Sequence, residues 1–247
     1  MPTENLIPIK FFAMKKKNDG TDNKAYQRIL DFEKNFTSAT ASENGAAGAS
    51  RIKVTGCKLA ENAYVRQDGS LAERNFVING SFINKQRDGD VEGATFELSG
   101  VVGKMLPEVD SATGEETGRL FVDFIVIGYK GVAHVIRMVA EGPAKSHIET
   151  NWTQGDTVNV NGIINMYSAT RITYEEQGFG KPLERKTTEY RQELIIIGGS
   201  QCGLEEAYSY DASDVKVAID ERTAYLASLK EAKKEAAPAK DKPKFQF

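Results

Sequence analysis

The residues able to act as nucleophiles or soft metal ligands are few. Cys57, Cys202, His134 and His147 are all the cysteines and histidines among the 247 residues. They lack the close paired spacing of a zinc site, and two cysteines form at most one disulfide. We expect both cysteines to be reduced and buried. His134 alternates with Ile136, which predicts a sheet residue and not a catalytic base.

Acidic pairs are the other candidates for acid–base or metal chemistry. Glu115-Glu116, Glu175-Glu176 and Glu205-Glu206 all lie in polar segments, where a solvated surface explains them. The chain contains no Gly-x-x-x-x-Gly-Lys-Ser/Thr loop, no His-Glu-x-x-His and no Gly-x-Ser-x-Gly motif. The segment from Gly198 to Gly203 resembles a phosphate loop only superficially, because it lacks the lysine. We therefore predict no catalytic residue, no metal and no cofactor.

The remaining candidates for a functional site are cationic and aromatic side chains, which are typical of binding and not of catalysis. A single nucleic-acid strand is bound by cations at its phosphates and by flat rings under its unstacked bases, each stacked base contributing about 1 to 3 kcal/mol. Because the net charge is −3, such a cationic surface must be local. The predicted nucleic-acid-binding residues are Lys104, Arg119, Phe121, Tyr129, Lys130, Arg137, Tyr167, Arg171, Tyr174, Phe179, Lys181, Arg185 and Lys186.

The elements that position these residues lie mainly between Phe96 and Asn165. A strand pattern comes first, followed by a hairpin from Gly118 to Ala140, a short helix from Pro143 to Trp152 and a strand from Gly155. This order predicts an α+β, mainly β chain: a five-stranded antiparallel barrel of oligonucleotide-binding (OB) type, with extra N-terminal strands and flanking helices. Trp152 is predicted to pack in the core at the barrel end.

Two long connections are predicted beside the barrel. The first runs from Pro107 to Gly118 and is acidic, and the second runs from Ser168 to Lys186. Loops of this length in a compact domain are uncommon and often functional. The second is predicted to complete a binding groove with the outward side chains of the hairpin, Arg119, Phe121 and Arg137.

The flanking regions divide the chain into three parts. Residues 1–50 are predicted to form an N-terminal extension with an amphipathic helix, capped by Asp22, and a flexible connector. Residues 51–203 are predicted to form the barrel domain with its additional strands. Residues 204–247 are predicted to form a helix from about Ser213 and a disordered tail. No apolar run approaches the roughly 20 residues that cross a bilayer, so a cytoplasmic protein without membrane contact is expected.

A family resemblance rests on the strand from Gly155 to Gly162, Gly-Asp-Thr-Val-Asn-Val-Asn-Gly. This strand resembles the Lys/Gln-Gly-Asp/Ser-x-Val-x-Val-x-Gly strand of single-stranded DNA-binding proteins, and the preceding hairpin and helix match theirs in order and spacing. The likeness covers roughly residues 96–198, and the long N-terminal addition resembles the diverged bacteriophage-encoded members. It implies sequence-independent coating and protection of exposed strands in replication, recombination or repair.

The chain departs from this family at several positions. Val135, Arg137 and Val139 stand where the bacterial members stack bases on tryptophan, and the tail shares only its terminal aromatic residue, Phe247. The family resemblance also implies that partner proteins are recruited through that tail. The sequence leaves open whether the chain forms a homo-oligomer. The alternatives are a protein-interaction or phage structural module on the same barrel, and a nuclease with a metal-binding acid cluster.

Overall fold

A computed structural model of the chain describes residues 5–90, 92–110, 113–128, 131–201 and 210–236. Its strands are β1 (Ile9–Lys10), β2 (Ile52–Thr55), β3 (Lys58–Glu61), β4 (Tyr64–Val65), β5 (Leu71–Ala72), β6 (Phe76–Asn79), β7 (Phe82–Lys85), β8 (Thr95–Val109), β9 (Glu116–Ile127), β10 (Ala133–Ala140), β11 (Thr157–Glu175) and β12 (Leu183–Gln201). Its α-helices are α1 (Lys24–Asn35), α2 (Gly142–Asn151) and α3 (Ala212–Ala236).

Strands β8 to β12 close into a barrel in the order β8-β9-β10-β12-β11, and β11 returns to β8. All neighbours run antiparallel except β10 and β12, which are parallel and pair Val139 with Ile195 and Ala140 with Ile196. Helix α2 connects β10 to β11. A five-stranded barrel with this connectivity has the oligonucleotide-binding fold. The predicted α+β, mainly β fold class is therefore confirmed. The barrel differs from the predicted all-antiparallel pairing at one pair of strands, β10 and β12.

The barrel core consists of alternate residues of the strands, because successive side chains of a strand point to opposite faces. Phe124 lies opposite Ile136, and Val122 lies opposite Met138. All four side chains are fully buried. Trp152, the C-cap residue of α2, is also buried, as the sequence predicts.

The predicted loop from Ser168 to Lys186 is wrong. Strands β11 and β12 pair over their whole length, as far as Glu175 opposite Leu183, so that only residues 176–182 form a turn. The predicted loop from Pro107 to Gly118 is also shorter, because β8 continues to Val109 and β9 begins at Glu116.

A second compact unit contains residues 7–60 and 76–93, whereas the barrel unit contains residues 61–75 and the described residues from Ala94 onward, together with Asn5 and Leu6. In the second unit β1 pairs in parallel with β6, and β2 pairs antiparallel with β7. Helix α1 lies in sequence between β1 and β2. The predicted boundaries at residues 50 and 203 stay predictions.

Two local predictions about the N-terminal third need correction. Helix α1 is capped by Asn23, whose side chain accepts a hydrogen bond of 3.0 Å from the N–H of Ala25. Asp22, the predicted cap, instead pairs with Lys16 at 2.8 Å. Cys57 is exposed and not buried. Cys202, the acid pair Glu205-Glu206 and the C-terminal tail lie outside the described residues.

Candidate nucleic-acid interface

The outer face of β9 and β10 is the surface that OB barrels generally use to bind nucleic acid. Antiparallel pairing places Val135 opposite Ile125, Arg137 opposite Asp123 and Val139 opposite Phe121 on this face. Because the inward residues alternate with these, their side chains point away from the barrel core. The face divides into an apolar part, a charged part and an end that carries Phe121.

Helix α3 covers the apolar part of this face. Ala218 of α3 is buried in one cluster with Val101, Ile125, Ala133 and Val135, and further residues of the helix pack against its rim. The apolar surface that these strands would otherwise expose to water is thereby buried within the chain itself. The apolar part is therefore closed to a ligand while α3 is in place.

The charged part is occupied by a buried carboxylate between two arginines. Asp123 accepts hydrogen bonds from Nε of Arg137 at 2.8 Å and from Nε of Arg74 at 2.9 Å. The Arg137 guanidinium carbon also lies 5.0 Å from the ring centroid of Phe121, a cation–π geometry. Arg137 and the half-buried Phe121 thus interact with each other and with Asp123 before any ligand binds.

Residues 61–75 form a strip that joins this network to α3. Glu61 accepts hydrogen bonds from Nε of Arg222 at 2.9 Å and from the N–H of Val135 at 3.0 Å, and Nη2 of Arg222 lies 3.2 Å from Oε2 of Glu73. Burial by itself raises the pKa of Glu61, but the hydrogen bonds from Arg222 and Val135 and the charge of Arg222 bring that pKa below its ordinary value. Glu61 is therefore held ionised.

Arg119 is surrounded by carboxylates at the end of the barrel where β12 enters. Its guanidinium lies 2.9 Å from Glu193, 3.5 Å from Glu108 and 3.5 Å from Glu141. Arg191 is within 3.9 Å of Glu108 and 3.6 Å of Glu193. Three acids face two arginines here, so the positive charge of Arg119 is already balanced within the protein.

Beyond this cluster, β11 and β12 leave the barrel together. Pairing of β11 with β8 ends at Ile163, and Asn5 and Leu6 then bond the backbone of β11 as far as Met166. Residues 167–191 continue as a two-stranded ribbon, which we call the arm. From Tyr167 opposite Arg191 to the last pair it extends about 27 Å at 3.3 to 3.4 Å per residue.

One face of the arm combines aromatic rings, an aliphatic side chain and a cation. Ile172 lies directly opposite Lys186, Tyr174 is two residues further along β11, and Tyr190 lies opposite Ser168. Their even spacing puts these side chains on one side of the ribbon. Tyr174 is 67% exposed and Tyr190 is 83% exposed. We call Ile172, Tyr174, Lys186 and Tyr190 the arm face.

The remaining predicted residues are distributed around this face. Tyr167 and Arg185 lie on the opposite side of the arm, where Nε of Arg185 bonds Glu175 at 2.6 Å. In the backbone register, Arg171 lies opposite Thr187. The residues of the turn are exposed, and the ring of Phe179 is 91% exposed. The turn contains Phe179 and Lys181.

Besides Arg119, Phe121 and Arg137, three predicted residues have sequence positions outside residues 167–191. Lys104 is exposed on β8. Tyr129 and Lys130 lie outside the described residues. Of the thirteen candidates, the arm face brings together Tyr174 and Lys186, whereas Arg119, Phe121 and Arg137 lie at the barrel.

Sequence reasoning missed Tyr190 and Ile172. The sequence pattern assigns Tyr190 to the last barrel strand. A residue of that strand is expected to belong to the barrel, so the pattern does not indicate a binding role for Tyr190. The signal was the β-branched and aromatic run Ile172-Thr173-Tyr174, which is typical of a strand and indicates that Tyr174 belongs to a ribbon. Recognising the ribbon fixes the face of every side chain along it.

The described residues contain no group of three or more His, Cys, Asp or Glu side chains arranged to hold a metal ion. Within the same residues, no helix is both long and apolar enough to span a bilayer.

The fold and its arm define a protein built on an OB-type barrel with an extended hairpin between the fourth and fifth barrel strands. The chain belongs to the YorF family, whose family model matches residues 2–232. A search of curated proteins finds no match. Among solved structures, the chain is similar to a deletion mutant of the single-stranded DNA-binding protein from Thermus aquaticus, at 9% identity and a TM-score of 0.31, over 64% of this chain and 92% of that one.

Proposed function

We propose that this protein binds single-stranded DNA without regard to sequence and without catalysing a reaction. The observation that carries the proposal is the arm face, where two largely exposed tyrosines flank an exposed lysine on a ribbon that projects from an OB barrel. Aromatic rings of this exposure contribute nothing to a core. They are available for stacking against unpaired bases, which a duplex does not offer.

The spacing of the arm face suits an extended polymer. Tyr174 and Tyr190 are six residue steps apart along the ribbon, about 20 Å. Lys186 lies between them, and its nearest acid, Glu184, is 3.1 Å away on an exposed surface where such a pair is readily exchanged for a phosphate. Phe179 and Lys181 at the turn extend the same combination of ring and cation.

The biological role that follows is the coating and protection of exposed strands during replication, recombination or repair, in a cytoplasmic setting. Such a role fits a homo-oligomer and fits partner proteins recruited through the tail that ends in Phe247. A phage origin is part of the same proposal. These finer points rest on the family resemblance of the strand from Gly155 to Gly162, and a phage origin rests on the long N-terminal addition.

Fluorescence titration with oligo-dT, oligo-rU and a DNA duplex at two salt concentrations tests the proposal. We expect tight binding of oligo-dT, weak binding of duplex, and an affinity that falls steeply with salt as counterions are released. The double variant Tyr174→Ala/Tyr190→Ala should bind more weakly at both salt concentrations. Tyr225→Ala is the matched control, because Tyr225 is 57% exposed on α3, outside the arm. Absent or salt-insensitive binding of oligo-dT by the wild-type protein would contradict the proposal.

A protein-interaction module is the second candidate, and a specific observation favours it. Helix α3 and the strip of residues 61–75 cover much of the barrel face that commonly binds nucleic acid. The arm would then be a docking element for a protein. A partner retained in pull-downs after nuclease treatment, together with no shift of a labelled oligonucleotide, would select this candidate.

A further inference from the structure

The second compact unit carries a net positive charge, whereas the rest of the chain carries a net negative one. Residues 7–60 and 76–93 contain twelve Lys and Arg and eight Asp and Glu, a net charge of +4, while the rest of the chain carries −7. The total of −3 conceals this division. A polyanion is therefore attracted to the second unit more than to the barrel unit.

The segment that leads from β1 to α1 has two chemically different sides. Ile9 and Phe11 point inward, where a Cβ placed on Gly80 would meet the ring of Phe11 at 2.5 Å and Ile9 at 2.9 Å. Lys10 and Phe12 alternate with them and are exposed, Phe12 at 89%. The aromatic ring of Phe12 thus lies in solvent beside a cation and has no packing role.

The three lysines that follow stand on one strand of a small hairpin. The N–H of Asn23 bonds the carbonyl of Lys15 at 3.1 Å, and the N–H of Lys17 bonds that of Thr21 at 2.9 Å. Lys16 is paired with Asp22 across this hairpin. Among the described residues, Lys15 and Lys17 have no ion-pair partner and both are exposed.

This arrangement contrasts with the cations of the barrel. Arg119, Arg137 and Arg222 are each bound to at least one carboxylate that is itself largely buried. Displacing such a pair leaves a buried charge without its partner, which is costly. Lys15 and Lys17 incur no such cost, so their charge is available to a phosphate chain.

We propose that Lys10, Phe12, Lys15 and Lys17, the basic strip, form a second contact surface for single-stranded DNA. The inference rests on the proposed function and adds a site to it, located in the second unit and distinct from the arm face. Phe12 stacks on a base, and the unpaired lysines bind the phosphates on either side of it. A single strand fits better than a folded protein, because an exposed ring and exposed cations follow each other closely between Lys10 and Lys17.

Titration of the full-length protein with oligo-dT over a series of salt concentrations tests the basic strip. Phe12→Ala should weaken binding about 5-fold or more, the lower bound for one lost stacking contact. Lys15→Ala/Lys17→Ala should reduce the slope of log K against log salt by about 0.7 for each lysine that contacts a phosphate. Lys216→Ala/Lys230→Ala removes the same charge from exposed positions of α3 and should leave the slope nearly unchanged.

The outcomes separate the two proposals. Suppose that the wild-type protein binds oligo-dT, but that neither Phe12→Ala nor Lys15→Ala/Lys17→Ala changes the affinity or its salt dependence. The basic strip is then overturned, and the arm face stands. If the wild-type protein binds no single strand, both are overturned. The same basic-strip variants are also tested with phosphatidylserine vesicles. If they lose binding only to the vesicles and keep their affinity for oligo-dT, the partner is a membrane surface and the proposal is again overturned. Circular dichroism of each variant should match the wild type, because all substituted side chains are exposed.

Discussion

Arg222 of α3 donates a hydrogen bond from Nε to Oε2 of Glu61 at 2.9 Å, across 161 residues of sequence. The Arg222 side chain is 10% exposed and that of Glu61 is 6% exposed. Because Glu61 also accepts the N–H of Val135, this one carboxylate fastens both α3 and the strip of residues 61–75 to β10. The pair therefore maintains the cover on the outer face of the barrel.

Replacing Arg222 by alanine should destabilise the barrel unit strongly. The change leaves Glu61 buried without its cation, and breaking a buried pair from one side costs about 3 to 5 kcal/mol. Chemical denaturation measures the loss. Arg185→Ala is the control, because its pair with Glu175 is exposed on both sides and such pairs contribute about 0 to 1 kcal/mol. Equal effects of the two substitutions would contradict a structural role for the Arg222–Glu61 pair.

Stability should fall in acid partly through Glu61. Although burial raises the pKa of this carboxyl, its hydrogen bonds and the charge of Arg222 make the folded-state pKa lower than the ordinary value of about 4.3. The ionised form is thus favoured by folding, so its stabilising contribution is complete above the ordinary pKa and is lost as pH falls through the folded-state pKa.

Denaturation midpoints measured between neutral pH and strongly acidic pH test this linkage. The variant Glu61→Gln should be less stable than the wild type at neutral pH and should show a shallower decline below about pH 4.3. A wild-type and a variant curve that run parallel through the acidic range would assign the acid sensitivity to other carboxylates.

The barrel was predictable from sequence because its two faces differ chemically. The apolar residues Leu120, Val122 and Phe124 alternate in β9 with a mixed set that includes Arg119 and Asp123. The turn, helix and following strand come in the order that the fold requires. The arm lacks this signal, since both of its faces are solvated and no apolar alternation forms. Its sequence therefore resembles that of a loop, and only the β-branched run at Ile172 and Thr173 indicates otherwise.

The cover on the barrel face was not predictable from local pattern. Its carriers, Glu61 and Arg222, look like ordinary surface charges of a strand and of a helix, and no short-range spacing relates residues so far apart. The same holds for Arg119 and Arg137, whose charges look available for phosphates in the sequence but lie beside Glu193 and Asp123 in the fold. Sequence identifies cations, but long-range folding decides which of them stay unpaired.

Gly162→Ala should disrupt the barrel seam. A Cβ at Gly162 would lie 2.0 Å from the carbonyl oxygen of Ile195 and 2.7 Å from the ring of Phe96, at a position where the register of β11 with β12 shifts. The backbone oxygen cannot move without breaking the pairing, so we expect a loss of at least the 1 to 3 kcal/mol that is typical of overpacking. Thermal denaturation measures it.

Gly178→Ala is the control for this substitution, because a Cβ at that turn position meets nothing within 4 Å. Its melting temperature should remain close to that of the wild type. A Gly162→Ala protein as stable as Gly178→Ala would show that β11 and β12 separate more easily than the close approach at Gly162 implies.

The last prediction separates the arm from the usual binding face of an OB barrel. Tyr174→Ala removes an exposed ring from the arm face and should weaken oligo-dT binding by about 1 to 3 kcal/mol with little change in stability. Phe121→Ala removes the half-buried ring beneath Arg137; it should lower stability and change affinity less than Tyr174→Ala does. Titration gives the affinity of each variant for oligo-dT, and denaturation gives its stability. The reverse ranking of affinities, with Phe121→Ala folded and the weaker binder, would return the site to β9 and β10, where the sequence first placed half of it.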